Sequence, residues 1–98
     1  MKSFQAHTTE LESLLNQSAT LESVLGSRGA PLVRSDKDHP LSLEAIPDSS
    51  RLPPNQQGEV RQRLVALDTA LVYRHNDALE LLFFDSRGKM VAFNRCLP

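Results

Sequence analysis

The chain has 98 residues, 40% of them hydrophobic and 23% charged, and a formal net charge of −1. That length fits a single domain with a real but modest core. The near-neutral balance disfavours a dedicated nucleic-acid binder, and one cysteine excludes an internal disulfide, so no oxidising compartment is implied.

Charge is uneven along the sequence. Residues 1–48 hold four basic and seven acidic groups, and residues 49–98 hold seven basic and five acidic ones. Neither half contains a long block of one sign, so the asymmetry fits ordinary surface scatter. A secretory segment needs a basic start and then an apolar run. Here Lys2 leads into the polar stretch Ser3, Phe4, Gln5, Ala6, His7, Thr8 and Thr9. The longest apolar run, Leu81-Leu82-Phe83-Phe84, falls far short of the ~20 residues that cross a bilayer. The expectation is a soluble cytoplasmic protein with no membrane partner.

In chain order, residues 1–9 are expected to fray. Thr9-x-x-Glu12 has the form of a capping box, in which a hydroxyl and a glutamate satisfy two orphan amides at a helix start. Leu11, Leu14, Leu15, Leu21, Val24 and Leu25 form an apolar stripe interrupted by Ser18, and Gly26 is a stop signal. Together they predict a helix over 10–25. Residues 26–54 gather most of the breakers (Gly26, Gly29, Pro31, Pro40, Pro47, Pro53 and Pro54) and predict an irregular arm or linker.

Val60, Leu64, Leu67 and Leu71 are spaced four, three and four apart, which predicts a second helix over 55–70. It is expected to end between Asp68 and Leu71. Leu79, Leu81 and Phe83 alternate with Glu80, Leu82 and Phe84. Because both faces are largely apolar, this strand should be covered on both sides. Asp85-Ser86-Arg87-Gly88 fits a type I turn with glycine in the left-handed position, and Lys89 to Cys96 returns as the partner strand. Asn76-Asp77 is a candidate turn to an earlier strand near 70–75, within antiparallel strands over 70–96. The fold class that follows is α+β, a single domain over 1–98. It has two helices packed on a small antiparallel sheet that ends in a C-terminal β-hairpin.

Chemical motifs are sparse. Asp36-x-Asp38 resembles the opening of a calcium loop, but the sixth and twelfth places hold Leu41 and Pro47 where glycine and glutamate are needed. His7, His39 and His75 are not spaced as zinc pairs, and no C-x-x-C occurs. Cys96 has a neighbouring cation in Arg95 but no readable base or oxyanion site. Gly26, Gly29, Gly58 and Gly88 form no phosphate loop. Arg61 and Arg63 lie about 200° apart on a helix and do not share a face. No catalytic residue, metal or cofactor is implied.

The function expected from these features is a non-enzymatic protein–protein interaction or regulatory module, such as a regulator, an immunity-type inhibitor or a chaperone-like protein. It is expected to self-associate as a homodimer and to meet a protein partner. The candidate partner or dimer surface comprises Leu11, Leu14, Leu21 and Leu25 on the first helix, with Met90, Val91 and Phe93 on the last strand. Strand edges invite pairing with a second chain, so Val91→Pro is expected to abolish an edge-mediated dimer without unfolding the first helix. One alternative is a nucleic-acid-binding regulator using a basic surface of Arg74, Arg87, Lys89 and Arg95. The acidic first half and the scarcity of stacking aromatics oppose it. The other is a small-ligand-binding or enzymatic domain with its site at a dimer cleft.

Overall fold

The protein is described here by a computed structural model covering residues 4–75 and 77–97, with side chains described from Thr9 onward. The fold is α+β; the described residues form three α-helices and a four-stranded antiparallel sheet, and a strand is the last of these elements in chain order. The radius of gyration is 12.4 Å, close to the ~13 Å of a folded unit of about 100 residues.

Helix α1 spans Phe4–Asn16 and α2 spans Leu21–Arg28, so the single helix expected over 10–25 is two. The break follows from Ser18, which adopts a left-handed conformation with φ 51°. Around it Ser18 N–H donates to Leu15 O and Ala19 N–H to Leu14 O, both at 3.0 Å. This pair of bonds is a Schellman end, which satisfies the last carbonyls of α1. Thr20 then caps α2, its Oγ1 accepting from Ser23 N–H at 3.1 Å. Helix α1 already runs from Phe4, so Thr9 lies in its interior and begins no helix. The part of the expected frayed end at residues 1–3 lies outside the described residues. Gly26 is inside α2, and the stop is Gly29, whose φ of 79° suits a residue without Cβ.

The segment expected to be an irregular arm is ordered. It contributes the short strand β1 (Val33–Ser35) and two single-turn 3₁₀ helices, Leu43–Ala45 and Ser49–Arg51. Its apolar residues Leu43, Ile46 and Leu52 are buried, which offsets the entropy of fixing so many loop residues. Helix α3 spans Pro54–Ala66 with proline in its first turn, where a missing N–H costs nothing. It stops short of the expected Asp68. Strand β2 (Thr69–His75) begins three residues later, and Asp68 N–H already donates to Phe84 O at 3.2 Å. Leu71, counted in the helical stripe, is a strand residue in the core.

Strands β2, β3 (Ala78–Phe84) and β4 (Met90–Cys96) pair in sequence, and β1 adds to the other side of β2. The turn before β3 includes Asp77 at φ 67°. Asn76, the other half of that predicted turn, lies outside the described residues. The 85–88 turn forms as the sequence predicts. Gly88 N–H donates to Asp85 O and Asp85 N–H to Lys89 O, both at 2.9 Å, with Gly88 at φ 74°.

Every residue of β3 is buried, because the sheet is covered on both faces. Ala70, Val72, Leu79, Leu81 and Phe83 pack under Leu43, Ile46, Leu52 and Val60 from the arm and α3. Leu71, Tyr73, Leu82, Phe84 and Met90 pack under Leu11 and Val24 from α1 and α2. Successive strand side chains point to opposite faces, so one strand serves two cores. Among the described residues no helix is long and apolar enough to cross a membrane.

Candidate functional site

The leucines of the expected partner surface are inside the protomer. Leu11 is fully buried, and Leu14, Leu21 and Leu25 are half-buried against the α1/α2 core. Met90 is likewise buried, and Phe93 is half-buried against the same cluster. Of the seven candidates only Val91 is exposed, at 42%. The cause is register. Phe83 faces Ala92 and Phe84 faces Met90, so Val91 is the extra residue of a β-bulge and is pushed out of the ladder. At the other end of β4 Leu97 is 53% exposed.

Strand β4 is a sheet edge of seven residues, and part of that edge is already engaged. Met90 N–H donates to Ala19 O at 2.8 Å, and Leu21 N–H to Gly88 O at 2.7 Å, so the turn between α1 and α2 covers its start. Farther along, Arg63 Nη1 donates to Phe93 O at 3.0 Å and to Asn94 Oδ1 at 2.6 Å. Arg63 is held by Glu59 one helical turn earlier, at 2.6 Å, and its guanidinium lies 5.8 Å from the Phe83 ring centroid.

The basic surface does not assemble. Arg87 and Lys89 are exposed beside the β3–β4 turn, and both backbone amides are taken by the Asp85 carboxylate. Arg74 is half-exposed and pairs with Asp48. Arg95 is a correction, because its side chain is only 3% exposed and its Nε donates to Glu80 Oε2 at 2.7 Å.

That contact belongs to a buried ion cluster the sequence reading missed. Tyr73, Glu80 and Arg95 are direct neighbours across β2, β3 and β4, on the face covered by α1 and α2. Glu80 is fully buried. Its second oxygen accepts from Arg28 Nη2 at 2.7 Å, Arg28 coming from the last turn of α2. The Arg28 guanidinium stacks 5.0 Å from the Tyr73 ring centroid, and Tyr73 O–H donates to Gly29 O at 2.9 Å. Burial pushes the Tyr73 hydroxyl pKa up, against the opposing charge of Arg28. The signal available in the sequence was Glu80 itself: a carboxylate in the middle of an apolar central strand must find a cation.

Other titratable groups have structural work. Asp36 Oδ1 accepts from the Asp38 and His39 amides at 3.0 and 2.8 Å, closing the turn that had the look of a metal loop. Burial raises the Cys96 thiol. Among the described residues no three His, Cys, Asp or Glu side chains come together as a metal site.

Two cavities stand out. One, of about 450 Å³, lies between the loop after β1 and the end of α3, with Asp36, Lys37, Leu41, Val65 and Asp68 on its walls. Its Asp68 is paired with Lys37 at 3.4 Å. The other, of about 460 Å³, lies where the end of α2 meets β2, beside the ion cluster. Compared with protein-family models, with curated proteins and with solved structures, the chain matches none.

Proposed function

We propose that the protein is a non-enzymatic interaction module, acting in the cytoplasm, that self-associates through the edge of β4. The carrying observation is Val91, exposed at a bulge on the edge strand β4 of a sheet whose two faces are covered by the chain's own α-helices and arm. Exposed apolar side chains on a strand edge are what a second strand covers. Leu97, just beyond the end of β4, adds a second exposed apolar residue. The Ala19 and Arg63 contacts occupy Met90 N–H and Phe93 O, so a partner strand adds to the remaining groups. An isologous pairing of two β4 strands is the simplest arrangement for one chain. With Met90 N–H and Phe93 O engaged, less than the roughly 23 Å of the whole strand is open to a partner, which places such an interface at the small end of specific ones. The dimer is therefore expected to be concentration-dependent.

Light scattering behind size exclusion, on reduced protein from the order of 1 to 500 µM, tests the reading. A mass rising from 10.9 kDa towards twice that value supports it. The double variant Val91→Lys with Leu97→Lys should stay monomeric throughout, because edge lysines oppose strand addition. A wild-type chain that remains a monomer at the highest concentration refutes it, as does a lysine variant that dimerises equally well.

A further inference from the structure

The middle of β4 is closed, although β4 is an edge strand. Asn94 is only 6% exposed, because a polar stripe of α3 lies over it. Gln56, Glu59 and Arg63 follow one another at spacings of three and four, which puts them on one face of that helix. Gln56 Oε1 accepts from Asn94 Nδ2 at 3.4 Å. Arg63 Nη1 donates to Asn94 Oδ1 at 2.6 Å and to Phe93 O at 3.0 Å, while Glu59 holds Arg63 Nη2 at 2.6 Å. Phe93 O is a backbone acceptor on the outer side of β4, the place where a partner strand's N–H would donate.

We propose that Arg63 is a latch on the β4 edge. Closed, it confines a second copy of this chain to the backbone groups on either side of Phe93 O. Open, it yields that carbonyl and lengthens the ladder between the two copies. The inference rests on the reading of β4 as the self-association edge. Charged side chains are a common guard of edges against strand addition, and a charge-assisted hydrogen bond to a carbonyl is stronger than the neutral N–H bond that would replace it. The closed latch therefore keeps self-association weak. Its release is local. The Arg63 and Glu59 side chains are 29% and 45% exposed, so both charges can turn to water and neither is left stranded in the core. The other engaged group, Met90 N–H, is held by the backbone carbonyl of Ala19, which no side-chain rotation can free.

The test compares dimer dissociation constants of full-chain variants by light scattering behind size exclusion, from the order of 1 to 500 µM, with folding checked by circular dichroism. Arg63→Ala should tighten the dimer about tenfold or more. Arg61→Ala removes an equal charge from the exposed pair with Glu44 and should leave the constant unchanged. Adding Val91→Lys to Arg63→Ala should cancel the gain, since an edge lysine opposes strand addition. If Arg63→Ala does not fold, Arg63→Lys decides: it keeps the stem and the charge but lacks the guanidinium fork, and should tighten the dimer about threefold. A wild type that stays monomeric while Arg63→Ala dimerises refutes self-association of the native chain and upholds the latch. A wild type that dimerises with the same constant as Arg63→Ala leaves self-association standing and overturns the latch. The latch is equally overturned by an equal gain in Arg61→Ala, by a gain that survives Val91→Lys, or by an Arg63→Ala protein that remains monomeric at every concentration.

Discussion

Replacing Glu80 with glutamine keeps the shape of the side chain and removes its charge. Both carboxylate oxygens are engaged, each by a guanidinium nitrogen at 2.7 Å. Glu80 is fully buried, and the Arg28 and Arg95 side chains are 16% and 3% exposed. Each hydrogen bond to a charged group contributes about 1.5–3 kcal/mol. Breaking a buried ion pair from one side costs about 3–5 kcal/mol, because the surviving charge stays desolvated. The two routes agree on a loss of about 3–5 kcal/mol, a large share of the roughly 5–15 kcal/mol that holds a domain of this size together. Urea unfolding of wild type and Glu80→Gln measures it. With a slope near 2 kcal/mol/M the midpoint falls by about 2 M at unchanged slope. Glu44→Gln, which removes an exposed pair with Arg61, is the control and should not shift the midpoint measurably. A Glu80→Gln protein within about 1 kcal/mol of wild type would mean that water reaches the cluster, and the desolvation argument would fail.

Two further outcomes follow from the backbone and from the exposed carboxylates. Gly88→Ala should destabilise by about 1–2 kcal/mol, since its left-handed φ of 74° penalises a Cβ. Gly58→Ala, inside α3 with open space around it, should stabilise by about 0.5–1 kcal/mol; opposite signs in thermal melts test the pair. Asp85 is held below the usual carboxylate range first by the Lys89 amide and then by that of Arg87, and Asp36 is lowered first by the His39 amide. Their folded pKa values lie below the unfolded ones, so the unfolded chain binds more protons in that window. Their contribution is complete above about pH 4 and is lost as pH falls through the folded values. Asp85→Ala should therefore flatten the acid side of a plot of Tm against pH; an unaltered slope would show that the turn's hydrogen bonds do not set it.

The sequence by itself determined the local pieces. The β3–β4 hairpin follows from alternating side chains and from Asp85 and Gly88 at the two ends of one turn. Helix α3 follows from the spacing of Val60 and Leu64, although Pro54, a breaker by residue type, lies in its first turn. The coverage of both sheet faces follows from the apolar character of both sides of β3. Tertiary structure decided the rest, because those choices depend on groups far apart in the chain. The leucine stripe of 11–25 fits one helix or two equally well. Ser18 in a left-handed Schellman end, and the Gly88 and Met90 backbone groups waiting beside Ala19 and Leu21, settle it as two. Leu43, Ile46 and Leu52 look like loop residues until α3 and the sheet offer them a core. Arg95 has the sequence of a surface cation, and only the cross-strand register places it against Glu80. Arg28 reaches the same carboxylate over 52 residues of sequence. Periodicity reports which face a residue prefers within its own element. Which element covers that face, and which distant charge answers a buried one, is fixed only when the layers pack.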